Sequence, residues 1–157
     1  MPTAGGLVLD VASRAEKRFL GRTEIAVFET HYKASLDDTW SVELKHTGGL
    51  KRTGINGRAA SGERAEQIAE FLAGDEGLTA AALPLDFTRF EVHGDVTGSM
   101  TRVELMGASH VAIALPPMRS YVRLYDDQRE ALLSTLAELG RALDDLATRT
   151  ASPEPSG

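Results

Sequence analysis

The sequence contains no cysteine among its 157 residues. That absence excludes a disulfide framework, a thiolate nucleophile and any zinc or iron–sulfur site held by cysteine. The first ten residues also lack the basic segment of a secretory signal, and Asp10 interrupts their apolar run. We therefore expect a cytoplasmic protein without a membrane anchor.

Recognisable catalytic and metal-binding motifs are missing as well. The sequence has no His-Glu-x-x-His and no EF-hand loop. The segment 107–111 begins like the turn that presents a catalytic serine, but it lacks the final glycine. A hairpin centred near Ser35 would also keep His31 and His46 apart. The sequence therefore leans against an enzyme, and we predict no catalytic residue, no metal and no cofactor.

Length and composition are those of one ordinary globular domain. The chain is 42% hydrophobic and 25% charged, and a chain of this length buries roughly 70% of its unfolded surface without covalent cross-links. Two prolines and no apolar residue other than Ala151 occupy the last seven positions. We predict a single domain over 1–150 and a disordered tail over 151–157.

The clearest structural signal is a strand that leads into a helix. From Met118 to Tyr125, apolar or small residues alternate with arginine and tyrosine, which is the period of a strand. From Asp126 to Ala147 the leucines follow spacings of four and three, which is the period of a helix. We expect Asp127 to supply an N-cap oxygen at the boundary. We expect this helix to lie across a sheet and to provide much of its core.

The remaining elements predict an α+β fold. We expect an antiparallel sheet of about six to seven strands, packed against two or three helices in the order α-ββ(β)-α-ββββ-α. The first helix would carry an apolar stripe from Val8 to Phe19, and the second would bury residues from Ala65 to Leu72. The predicted strands are 23–32 and 40–45, joined as a hairpin, then 50–53, 87–93, 99–106, 110–115 and 118–125.

Charge is unevenly distributed along the chain, whose net charge is −6. The segment 45–64 has five cations against one carboxylate, whereas 126–147 has six carboxylates against two arginines. The first of these segments is glycine-rich and carries Lys51, Arg52 and Arg58 towards a helix N-terminus. Backbone N–H groups and guanidinium groups in such a loop could bind an anion. A solvated hairpin loop would have the same composition.

A second candidate surface consists of Arg119, Tyr121, Arg123 and Tyr125, which share one face of the last predicted strand. Alternating guanidinium and phenol groups could stack on bases and contact phosphates. The same residue types are favoured anchors of protein interfaces. They could also be ordinary cross-strand neighbours in water or beneath the first helix.

These features favour a small protein-binding, adaptor or self-associating module. The alternative is a binder of anions, nucleotides or single-stranded nucleic acid that uses the glycine/arginine loop and the arginine/tyrosine face. The negative net charge disfavours nucleic acid. We therefore expect a protein partner or a second copy of the chain, and no membrane.

Overall fold

The computed structural model describes residues 9–18, 21–114, 117–121 and 126–151. Within these ranges the chain forms seven strands and three helices. The elements are β1 (Leu9–Arg18), β2 (Gly21–Tyr32), β3 (Trp40–Thr47), β4 (Gly54–Ser61), α1 (Ala65–Ala73), α2 (Glu76–Ala82), β5 (Phe87–Asp95), β6 (Gly98–Ala114), β7 (Pro117–Tyr121) and α3 (Asp126–Ala151).

The described strands form one antiparallel sheet in the order β1-β2-β6-β5-β3-β4, and β7 also pairs with β6. The central strand, β6, has 17 residues. β5 pairs with residues 98–105 of β6, and β7 pairs with residues 110–114. β2 pairs with residues 99–105 and 110–113 of the same strand. β6 therefore joins the two halves of the sheet.

One face of the sheet packs against the helices. In β3, for example, Trp40, Val42 and Leu44 are buried, whereas the residues between them are at least partly exposed. The buried residues of β2, β5 and β6 that share this face belong to the same apolar cluster as those of α1, α2 and α3. We call this the inner face, and the opposite side the outer face.

The helix α3 contributes the predicted leucine stripe to this cluster. Leu132, Leu136, Leu139 and Leu143 are all at most 2% exposed. The hydroxyl group of Tyr32 donates a hydrogen bond to the carbonyl oxygen of Leu136 at 2.8 Å. Burial raises the pKa of this phenol above its ordinary value, so the hydroxyl keeps its proton. A core contact and a hydrogen bond thus fix α3 on the inner face.

The helix α1 lies close to β4 because of a glycine. A Cβ atom at Gly57 would lie 2.6 Å from the carbonyl oxygen of Ala69, which is shorter than ordinary packing contacts. The predicted core residues of this helix are confirmed, since Ala65, Ile68, Ala69 and Leu72 are buried.

The α+β class and the antiparallel sheet with helices are confirmed, but the predicted order α-ββ(β)-α-ββββ-α is wrong. The predicted first helix is the strand β1, which pairs with β2 along all ten of its residues. Its alanine and serine residues fit either structure, and pairing with a long neighbouring strand overrides a weak local preference. The second predicted helix is followed by another, α2.

Three strand assignments are also wrong. β2 and β3 do not form a hairpin, since β3 pairs with β4 and β5. The predicted strands 99–106 and 110–115 are not separate, since residues 99–106 and 110–114 belong to the single strand β6, which continues through Gly107. The residues around Leu50 form a turn, and the strand begins at Gly54 instead. The last strand is described only as far as Tyr121, and the predicted tail, apart from Ala151, lies outside the described residues.

We predict that Leu136→Ala or Leu139→Ala lowers the free energy of unfolding by about 2–5 kcal/mol, because each leaves a cavity in the core. Leu133 lies on the same helix but is 45% exposed, so Leu133→Ala should change it by about 0.5 kcal/mol or less. Urea denaturation measures these differences. Equal effects at the buried and exposed positions would contradict the orientation of α3.

A second stability prediction concerns the contact between β4 and α1. Gly57→Ala should destabilise the protein by about 1–3 kcal/mol, since the added methyl group overlaps helix backbone. Gly54→Ala is the matched control on the same strand, because the nearest atom to its Cβ would be 3.5 Å away. Thermal unfolding should show a lower Tm for the Gly57 variant alone. A Gly57 variant as stable as the control would exclude the close approach.

Candidate functional site

The outer face carries two rows of side chains that cross five strands, and all but Met100 are polar or charged. The first row begins with His31, whose backbone partner is Met100. Met100 in turn pairs with His93, and His93 pairs with Ser41. The row ends at Ser61 on β4, the partner of Ser41. Because directly opposite residues project from the same face, these five side chains form a continuous strip of four polar residues and one methionine.

The second row is made of charged residues. Their order across the sheet is Glu29, Arg102, Glu91, Glu43 and Arg58. Arg102 Nη2 lies 2.6 Å from Glu29 Oε1, and Arg58 Nη2 lies 3.3 Å from Glu43 Oε2. The cations in this row are thus paired with carboxylates. Such a surface has little excess positive charge to offer a phosphate group.

The open outer face does not extend over the whole sheet. Val27 and Glu104 lie opposite each other on β2 and β6, two residues beyond the pair Glu29 and Arg102. They are only 5% and 2% exposed, respectively. The accessible outer surface is therefore centred on the two rows described above.

A shallow depression lies at the end of the sheet beside the first row. Its volume is about 520 Å³, and its lining includes His31, His93, Ser61 and Asp95. Trp40 also borders it, but this side chain is 1% exposed and belongs to the core. The depression can accommodate a small polar ligand or an ion over the histidine row.

The structure separates the predicted anion-binding residues and gives two of them partners. Arg52 donates to the carbonyl oxygens of Leu83 and Leu85 at 3.2 and 3.3 Å and also pairs with Asp86. It therefore ties the β3–β4 loop to the segment before β5. Arg58 lies on β4 and is paired with Glu43, while Lys51 is exposed in the loop. None of these three residues lines either of the described pockets.

The arginine/tyrosine strand is described in part. Arg119 and Tyr121 belong to β7, where they pair with Ala112 and His110. Their side chains, together with Arg123 and Tyr125, lie outside what the structure describes. The use of this face for binding stays a prediction.

Two of the four histidines share one row, and a third has a structural role. The expected hairpin places β3 beside β2, whereas β6 and β5 lie between these strands. For that reason the sequence does not predict that His31 and His93 share a row. His46 stacks on Phe87 with ring centroids 4.1 Å apart. Its Nε2 atom lies 3.0 Å from the carbonyl oxygen of Ala82. Strand order, which the sequence pattern does not specify, was the signal needed to find the first pair.

The strands at the two ends of the order β1-β2-β6-β5-β3-β4 differ in charge. β1 is the edge strand on one side, and five of its ten residues are charged. β4 is the edge strand on the other side, and Arg58 is its single charged residue. Charged side chains are a common means of preventing one sheet edge from pairing with another. β1 has that protection and β4 has little of it.

Two other kinds of site are absent from the described residues. No described helix is long and apolar enough to cross a membrane. In the same ranges, no three histidine and acidic side chains are grouped so that they could hold a metal ion.

The environment of His46 predicts a dependence of stability on pH. Burial lowers the pKa of His46 below its ordinary value, because the charged ring loses hydration. The unfolded chain then binds the proton more readily, so this contribution to stability is present above about pH 6.5 and is lost on acidification. His46→Gln should make the free energy of unfolding fall less steeply between about pH 7 and 5. Denaturation experiments at several pH values measure this dependence. If the free energy of unfolding fell equally steeply with pH in the variant and the wild-type protein, this assignment would be contradicted.

Comparison with known proteins identifies the family but no characterised relative. A family model described as "Protein of unknown function (DUF3156)" matches residues 1–143. No curated protein and no solved structure matched the chain. Because the match covers most of the sequence and all the described strands, the chain belongs to the DUF3156 family.

Proposed function

We propose that the protein is a self-associating binding module in which the β4 edges of two copies pair into one continuous sheet. The observation that carries this proposal is the contrast between the two edges. β4 spans eight residues, from Gly54 to Ser61. Among the described strands, no partner pairs with its free edge, which is the edge away from β3. A strand of that length presents a row of backbone donors and acceptors that a second strand can satisfy.

The side chains of β4 favour close pairing. Six of its eight residues are glycine, alanine, serine or asparagine. Its guanidinium group, on Arg58, is already paired with Glu43 within the same subunit. Ile55 is 7% exposed and belongs to the core. Small side chains around the edge would let a second backbone approach without steric conflict, while the core beneath it holds the strand in place.

A symmetric antiparallel pair of β4 strands has few possible registers. The two-fold axis must run perpendicular to the sheet, so outer-face residues must lie opposite outer-face residues. An axis through Arg58 would place two guanidinium groups opposite each other, and that arrangement is unfavourable. An axis through Gly57 instead places Arg58 opposite Asn56 of the partner subunit. We propose this second register, which keeps nearly the full length of the strand paired.

The alternative function, binding of anions or single-stranded nucleic acid, has less support from the described contacts. Arg52 and Arg58 are occupied by partners in the same chain. Electrostatic binding to phosphates would have to displace those carboxylates, in a protein whose net charge is −6. The alternative stays a prediction, as does the cytoplasmic location.

Light scattering over a range of protein concentrations tests the proposed dimer. The mass should rise from that of a monomer towards twice that value. Asn56→Lys should weaken association by about tenfold or more, because each lysine would face Arg58 of the partner subunit. Asn56→Asp should strengthen it by placing opposite charges there.

Ser134→Lys is the matched control for added charge, since Ser134 is exposed on α3, away from β4. It should leave the association constant unchanged. A monomer at every concentration would refute self-association. A dimer that neither substitution at Asn56 affects would refute pairing through β4.

A further inference from the structure

The first row of the outer face brings together a thioether and two imidazole groups. Met100 lies on the central strand β6, with His31 on one side and His93 on the other. Directly opposite Cβ atoms in an antiparallel sheet are about 5 Å apart. Each imidazole group can therefore lean towards the sulfur atom between them. The sequence separates these residues widely, and only the order β2-β6-β5 aligns them.

We propose that His31, Met100 and His93 form a binding site for monovalent copper. Thioether sulfur is a soft ligand that favours Cu(I), and imidazole also suits copper. Harder cations such as Mg²⁺ and Ca²⁺ prefer oxygen ligands, and structural zinc sites use thiolates, imidazoles and carboxylates. The methionine at the centre of the row therefore selects for Cu(I) among common metal ions.

The surroundings of His93 fit a metal ligand. Its Nε2 atom lies 3.6 Å from Glu91 Oε2. Histidines that bind metals commonly direct their second ring nitrogen towards a carboxylate, which orients the ring and increases its basicity. At 3.6 Å the two atoms are just beyond hydrogen-bond distance, and a small side-chain rotation would let Glu91 accept from Nε2 and leave Nδ1 of His93 for the metal.

The site is also accessible. His31 is exposed, and Met100 and His93 are half-buried. The depression beside them opens to solvent and has a volume of about 520 Å³. A Cu(I) ion delivered by a small carrier molecule could therefore reach the three side chains without any movement of the sheet.

Anaerobic titration with Cu(I) in competition with a chromophoric chelator tests the proposal. The wild-type protein should bind one equivalent. Met100→Leu, which keeps the size of the side chain, should weaken Cu(I) binding by at least about tenfold, because it removes the soft ligand. His31→Gln and His93→Gln should each have a similar effect. Glu91→Gln should weaken binding by about tenfold if its carboxylate orients His93.

Two controls separate this site from incidental binding. Met106→Leu alters another methionine of β6 and should leave the affinity unchanged. Ag(I) should shift the methyl resonance of Met100 in NMR spectra, and Met100→Leu should remove that resonance. The proposal is overturned if the wild-type protein does not bind Cu(I), or if Met100→Leu binds it as tightly as the wild-type protein. Circular dichroism of each variant checks that the sheet is intact.

Discussion

Burial of the inner face of the sheet is the constraint on which the other features depend. Trp40, Val42 and Leu44 reach the core from β3, and the leucines of α3 belong to the same buried cluster. Because strand residues alternate between faces, burying this side commits the intervening residues to the other. The histidine row and the charged row are thus consequences of the same alternation that forms the core.

The sequence predicts those elements whose pattern is local and strong. The leucine spacing of α3 and the apolar residues of α1 identify the buried sides of both helices, and the buried residues agree. The sequence also predicts β5, because Phe90 and Val92 alternate with polar residues between clear turn signals. In each case hydrophobic periodicity and the flanking residues indicate the same structure.

The elements that the sequence did not predict depend on distant partners. β1 has a weak helical pattern, but β2 offers it ten paired residues. Gly107 suggests a turn, yet β6 continues through it with an irregularity in its pairing, since the partners of β2 change from Leu105 to His110 and skip residues 106–109. Strand order is the feature that the sequence predicts least well. A hairpin between β2 and β3 is the simplest local arrangement, but β6 and β5 lie between these two strands. Without the order β2-β6-β5, the sequence gives no reason to group His31, Met100 and His93.

The proposed function depends on β4 as an edge strand that pairs with a second copy of the chain. Amide hydrogen exchange at two protein concentrations tests it most directly, because pairing protects backbone N–H groups. We expect exchange in residues 54–61 to slow as the concentration rises, while exchange in the charged edge strand β1 does not change. Equal exchange in residues 54–61 at concentrations well below and well above the micromolar range would contradict it.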